Sequence, residues 1–409
     1  MRYLTFKFHH CDLFLSSVTY QIIISKNQIY VNEKLPKVFK KCRYTNESSC
    51  IHIMIKVAIV FIISFNSRRE KGRTMTVTFT LLILCVMLQS GFADSSGAIT
   101  GCVSTRSMTH EGAVRLAALC TFLGSVVITR LNPRVTRTFY GIVDFGNDKD
   151  TALRSLCAAL CAVIIWSFIS HRAGFPTSDS HALLSGMTGS ALAVKMNISA
   201  ISKSDWILVL CGFLLSTLPA CLLGLIFNAF LHGFLSRLNR RSAVGHFRRS
   251  QKWSAAWNAA LYGAQDCQKF TGVYMLGISL SSKDVSNADS AIPLSVLLLC
   301  TAALTLGTMM GTSSVIKKMG REMCELDPPA YSAAGAAASF SVTVCTILGL
   351  PADILQSRAC AFIGAGLFNK KRADLRVTAQ IIGSWLLTFP ICFTLGFILS
   401  HLVQLRFST

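Results

Sequence analysis

Long stretches of this chain carry no Asp, Glu, Lys or Arg at all. They run over Thr74–Ala93, Leu116–Thr129, Ser155–Ser170, Trp206–Ser236, Ser290–Ile316, Pro328–Ala352 and Val377–Gln404. Crossing about 30 Å of hydrocarbon takes about 20 helical residues. Only helices and closed barrels satisfy every backbone polar group in lipid. These runs are too long and too unbroken to be the alternating strands of a barrel. They predict an all-α, polytopic membrane bundle of about 10–12 membrane segments.

Two segments depart from the plain apolar pattern. Pro176–Ala200 and Pro351–Phe368 each open at a proline, are rich in Gly, Ser and Ala, and contain ionisable residues. Irregular backbone at membrane depth is tolerated only where protein or a cavity surrounds it, so both read as broken or re-entrant helices.

Charge sharpens this picture. Only 14% of residues are charged and 52% are hydrophobic, yet the formal net charge is +21. Soluble domains carry about a quarter charged residues. The basic residues lie between apolar runs rather than on one polar domain, which excludes a nucleic-acid partner and fits basic loops beside membrane spans. Arg237–Lys252 has six basic residues and no acid. It is expected to be a cytoplasmic linker.

Residues 1–74 differ from the rest, with thirteen Lys or Arg against four acids and no clean period. Their one apolar stretch, Ile51–Phe65, is fifteen residues long and carries Lys56, so it is short for a span. No small-residue cleavage pattern follows it. Residues 1–74 are therefore expected to be a basic extension, with the functional chain starting near Met75. The sixteen cysteines include no C-x-x-C pair, and most sit within apolar runs as small packing residues.

The remainder is repetitive. Gly91-Phe92-Ala93-Asp94 returns 172 positions later as Gly263-Ala264-Gln265-Asp266, and Pro176 returns after 175 as Pro351. Between them, Leu119-Cys120-Thr121 matches Leu299-Cys300-Thr301. Residues 75–236 and 253–409 are thus expected to be two copies of one unit, arranged as inverted-topology repeats. Transporters use such pairs, with discontinuous helices meeting near the midplane.

Several residues could carry chemistry. A carboxylate inside an apolar helix is costly and marks function by default. Asp94 and Asp266 both hold that position, and a nearby glycine would let each helix unwind to coordinate sodium or to carry a proton. Small polar residues follow them: Ser95 and Ser96 after Asp94, and Gln268 and Lys269 after Asp266. Lys269 lies three residues from Asp266 on one helical face, where it either neutralises that acid or lends charge to an anion path. In Pro176-Thr177-Ser178-Asp179-Ser180-His181, a proline at a helix start leaves free N–H groups and the hydroxyls add donors, which makes an anion site. Ser178 could equally be a plain helix cap with His181 at the surface.

These motifs resemble those of the PiT-type inorganic phosphate transporter family, which has a duplicated unit, a G-x-N-D element in each half and P-x-S-x-T-H elements. The resemblance covers roughly Met75 to the C-terminus and is most specific at Gly263-Ala264-Gln265-Asp266-Cys267-Gln268-Lys269. It implies that Asp94 and Asp266 bind the coupling cation, sodium if the carrier is sodium-coupled. It also implies that Ser178, Ser180 and Gln265 lie near phosphate. Ser95, Ser96, His181, Gln268 and Lys269 complete the expected substrate-binding set. Both family Asn positions are changed, to Ala93 and Gln265, and Pro351-Ala352-Asp353-Ile354-Leu355-Gln356 has lost its hydroxyls and His.

The expected function is symport of inorganic phosphate with sodium or protons in a multi-pass protein of the cell membrane. No cofactor beyond the coupling ion is expected. The erosion at 351–356 leaves two alternatives: a degenerate, non-transporting sensor or scaffold, and a carrier of another oxyanion. No nucleophile–base set or metal-ligand spacing suggests an enzyme. A homodimer is left open.

Overall fold

The computed structural model describes residues 23–25, 28–30, 72–172, 177–235, 240–281, 292–311, 313–368 and 374–407. Two compact units divide the chain, Met1–Cys50 and Ile51–Thr409. In the first, β1 (Ile23–Ser25) pairs antiparallel with β2 (Gln28–Tyr30), Ile23 opposite Tyr30. The rest of the predicted extension, up to Lys71, lies outside the described residues.

The second unit is helical. Its first half contains α1 (Gly72–Ala93), α2 (Ser95–Ser104), α3 (His110–Leu131), α4 (Arg134–Gly141), α5 (Lys149–Arg172), α6 (Asp179–Lys195) and α7 (Lys203–Leu235). The second half contains α8 (Arg240–Ser281), α9 (Leu294–Met310), α10 (Ser313–Lys317) with a π-turn at Lys318–Glu322, α11 (Pro328–Leu348), α12 (Ile354–Phe368) and α13 (Leu375–Phe407). Among the described residues, six helices are long and apolar enough to cross a membrane, and α9 and α12 are shorter apolar helices. With α1 and α2 counted as one and the short α4 and α10 set aside, ten segments build the bundle among the described residues. Large apolar side chains such as Leu218, Leu222 and Phe230 on α7 and Leu386 and Leu402 on α13 face outward, as a lipid-facing belt requires.

The two halves correspond element by element. The α1–α2 pair matches α8, α3 matches α9, α5 matches α11, α6 matches α12 and α7 matches α13. The last two are both 33 residues long, with prolines at matching places, Pro219 and Pro390. Packing follows the same rule with partners exchanged. Helix α6 packs on α13 while α12 packs on α7, and α3 packs on α8 while α9 packs on α1. Individual residues repeat this exchange. A Cβ at Gly189 of α6 would strike the Phe393 carbonyl of α13, and one at Gly364 of α12 would strike the Cys221 carbonyl of α7. This exchange of partners is what an approximate two-fold relation between the halves produces, as in inverted repeats. Backbones this close leave no room for a side chain. Gly364→Leu is expected to cost about 3 kcal/mol or more in overpacking, read as a lower thermal midpoint and poor recovery from the membrane.

Three expectations about the helices need comment. The second break is real: α11 ends at Leu348, Gly349 takes a left-handed conformation (φ 75°), and the chain stays non-helical to Asp353. The first break follows the same plan, with Thr177–Ser178 extended before α6, although Pro176 itself lies outside the described residues. The helix does not unwind at Asp266, however. Helix α8 is continuous through it, and Asp94 interrupts α1–α2 by one residue only. The glycines serve contact instead: a Cβ at Gly263 would strike the Thr121 carbonyl of α3, and one at Gly91 the Leu304 carbonyl of α9. The basic linker is likewise not irregular throughout, because residues from Arg240 onward belong to α8.

Candidate functional site

The pseudo-symmetry axis passes through a polar cluster in which equivalent residues meet each other. Ser90 on α1 and its counterpart Tyr262 on α8 lie with their hydroxyls 3.3 Å apart. At the two breaks, Ser178 donates to its counterpart Asp353 (Oγ to Oδ2, 2.5 Å), and His181 Nδ1 lies 3.2 Å from Nε2 of its counterpart Gln356. Each half therefore supplies one lip of the same site.

Four carboxylates are buried here: Asp94 at 3% exposure, Asp179 at 2%, Asp266 at 5% and Asp353 at 8%. Asp94 feels the field of all three others. Against them stands one ammonium, Lys269, which is 1% exposed. Lys269 Nζ donates to Asp266 Oδ1 (2.8 Å), Ser180 Oγ (2.8 Å) and the Ala352 carbonyl (2.6 Å). Of the two roles the spacing allowed, neutralisation of Asp266 is the contact formed. Asp266 also accepts from Ser90 (Oδ2, 3.2 Å).

The first half is less saturated. Asp94 precedes α2 but its carboxylate caps no backbone N–H. Asp179 accepts from Ser167 through Oδ1 (2.7 Å), while Oδ2 has no partner. A buried carboxylate oxygen without a donor is costly unless a cation or proton completes it.

The other expected site residues divide into those in the cluster and those that hold it. Ser178 caps α6, accepting from His181 N (3.4 Å), so the plain cap is present, but His181 is buried between Phe213 and Phe389 rather than at the surface. Ser95 and Ser96 are buried and donate back to Gly91 O (2.5 Å) and Ala93 O (2.7 Å), so only their lone pairs remain for a ligand. Gln265 braces the second break: it donates to Thr346 Oγ1 (2.9 Å) and Leu350 O (3.3 Å), and accepts from Ala352 N (3.0 Å). Gln268 is buried with Oε1 unpartnered.

Three buried charged residues lie outside the expected site set: Asp179, described above, Asp353 and Arg358. Asp353 accepts from the N–H groups of Leu355 (2.8 Å) and Gln356 (3.3 Å), so its carboxylate occupies the α12 N-terminus. Arg358, on the same helix, is 1% exposed, with Nε and Nη1 unpartnered and Phe362 stacked 5.2 Å from the guanidinium carbon. A Cβ on Gly101 of α2 would come 3.3 Å from its Nη2. The ionisable groups acting on it are Cys102 and Tyr331, not carboxylates. An arginine in a re-entrant, apolar segment was the available signal.

A duplicated helical bundle in which two helix breaks meet around buried charges is an arrangement that membrane transporters use. Comparison with known proteins gives the family. Residues 90–396 match the model of the phosphate transporter family, and the chain belongs to that family. It is similar to a probable low-affinity inorganic phosphate transporter of Bacillus subtilis (strain 168), at 26% identity over 81% of this chain and 98% of the relative. A protein of the same description from Streptomyces halstedii is 32% identical over 47% of this chain and 89% of its own length. A solved structure titled "The sodium-dependent phosphate transporter" shares the fold, with a TM-score of 0.70 and 18% identity over 81% of this chain and 99% of that one.

Proposed function

We propose that this protein carries inorganic phosphate across the bilayer in symport with a cation, sodium or proton, through the axial cluster. The observation that carries the reading is the charge balance there: four buried carboxylates face one ammonium. Like charges a few ångströms apart in low dielectric repel by several kcal/mol. An oxyanion therefore enters only when cations or protons neutralise the acids, and the acids hold cations best when an anion is present. Mutual dependence of that kind is coupling. Asp94 and Asp179, with open carboxylate oxygens, are the places for the cation, and hydroxyl and carbonyl oxygens complete its shell.

The anion side draws on Ser178, Ser180, His181 and the α6 N-terminus, with Ser95, Ser96 and Gln268 lining the path. Arg358 lies five residues beyond Asp353, about 7.5 Å along α12, and supplies positive charge where the path leaves the axis. Replacing Arg358 by Met removes an unpaired buried charge, so the thermal midpoint should hold or rise. Half-saturation by phosphate should rise about tenfold or more, the loss of one charge-assisted hydrogen bond. Unchanged uptake kinetics would remove Arg358 from the path.

The test of the reading is uptake of radiolabelled phosphate by proteoliposomes, with arsenate and sulfate as competitors. Uptake above empty vesicles that arsenate blocks and sulfate does not is the expected result. Sulfate competing equally would point to a broader oxyanion carrier. One observation favours the non-transporting alternative: Asp353 fills the α12 N-terminus. That alternative predicts that phosphate leaves thermal stability unchanged.

A further inference from the structure

We infer that the second repeat of the site is filled by the protein's own ions. The Lys269 ammonium stands where a coupling cation of that half would bind, and the Asp353 carboxylate stands where an oxyanion would meet the α12 N-terminus. The exchangeable ions are thereby confined to the first repeat, at Asp94 and Asp179. This deepens the transport reading and rests on it only for the word coupling.

The ammonium first. Its three partners are a carboxylate oxygen, a hydroxyl and a main-chain carbonyl, at 2.6–2.8 Å. Such a mixed oxygen shell, drawn from three elements (α8, α6 and the second break), is what a small hard cation requires. The pseudo-symmetry supplies the control. The residue 172 positions before Lys269 is Gly97, so the first repeat has no lysine of its own at that place, and Leu355 approaches Gly97 where Ser180 approaches Lys269. One of two related acids therefore has a tethered cation in direct contact, and the other does not.

The carboxylate behaves as the complementary stand-in. Asp353 takes the N–H groups of Leu355 and Gln356 and the hydroxyl of Ser178, three donors that would otherwise face a bound oxyanion. At the first break the corresponding residue is Ser178, whose hydroxyl is neutral. Both substitutions fall in the same repeat, so its cation place and its anion place are each occupied without a ligand. The other keeps Asp94 without a cap and Asp179 Oδ2 without a donor.

The test uses the purified full chain and its thermal midpoint, in sodium-free against high-sodium buffer at constant ionic strength, and at neutral against acid pH. Lys269→Ala should gain a sodium- or acid-dependent rise of about 2 °C or more beyond the wild type, because a free ion now enters at Asp266. Lys269→Arg, which keeps the charge, and the Asp266→Asn/Lys269→Ala double variant, which removes the acid, should not gain it. No gain in Lys269→Ala under either condition overturns the cation half. So does a Lys269→Ala protein that folds in no cation while the double variant folds. For the anion half, Asp353→Asn keeps the cap without the charge and should bind inorganic phosphate several-fold tighter, read as a larger phosphate-dependent rise in midpoint. Equal or weaker phosphate binding overturns it. These readouts need no transport, so absence of phosphate uptake by the wild type would count against the transport reading and leave this inference standing.

Discussion

Asp94→Asn is expected to lower the initial rate of cation-driven phosphate uptake by about two orders of magnitude or more, while the protein stays folded. The substitution keeps size and hydrogen-bonding capacity but removes the charge that attracts the cation. The carboxylate caps no helix and the direct ion pair of Lys269 is with Asp266, so its loss costs the fold little. It also relieves repulsion from Asp179, Asp266 and Asp353. What is lost is the attraction between a buried acid and its ion, and breaking such an arrangement costs about 3–5 kcal/mol, a factor of about 100 or more in affinity. The check is uptake by reconstituted variant and wild type, with thermal midpoints measured on the same preparations. Near-normal uptake by Asp94→Asn would place the coupling ion elsewhere.

The acid in the second repeat should behave in the opposite way. Asp266→Asn leaves the Lys269 ammonium, 1% exposed, with a hydroxyl and a carbonyl but no carboxylate in direct contact. Removing one partner of a buried pair is far costlier than removing both, about 3–5 kcal/mol against roughly none. Asp266→Asn should therefore yield little folded protein, and Lys269→Met in the same chain should recover much of it. The recovery is the informative measurement, since it separates an unpaired charge from a packing defect. Equal losses in the single and double variants would mean that the pair is not the reason. Two matched acids thus carry different penalties, one in function and one in stability, because only one has a partner built in.

The fold was legible because lipid imposes simple rules. A charge-free run of about twenty residues has few fates, and two prolines at a constant offset mark a duplicated break. The repeat also picked out a candidate site, since Asp94 and Asp266 could be paired by counting alone. What counting could not show is which residues meet across the axis. Ser178 touching Asp353, and His181 touching Gln356, are consequences of pseudo-symmetry that no local pattern encodes. The glycines misled for a related reason. Gly91 and Gly263 beside intramembrane acids suggested unwinding, but their use is close approach of backbones, so α8 passes Asp266 unbroken. Asp353 lies in the eroded 351–356 element, where its charge would repel an anion. In place it is seated on the N–H groups an anion would use. Arg358 drew no notice because its environment, not its type, makes it unusual.

Charge balance on the axis is the premise that the transport reading shares with these variants. It is tested most directly by uphill movement. Wild-type proteoliposomes loaded with phosphate should accumulate further radiolabelled phosphate against its own gradient when an inward sodium or proton gradient is imposed, and should stop when that gradient is collapsed by an ionophore. Phosphate that merely equilibrates, at the same rate with or without either gradient, would contradict it.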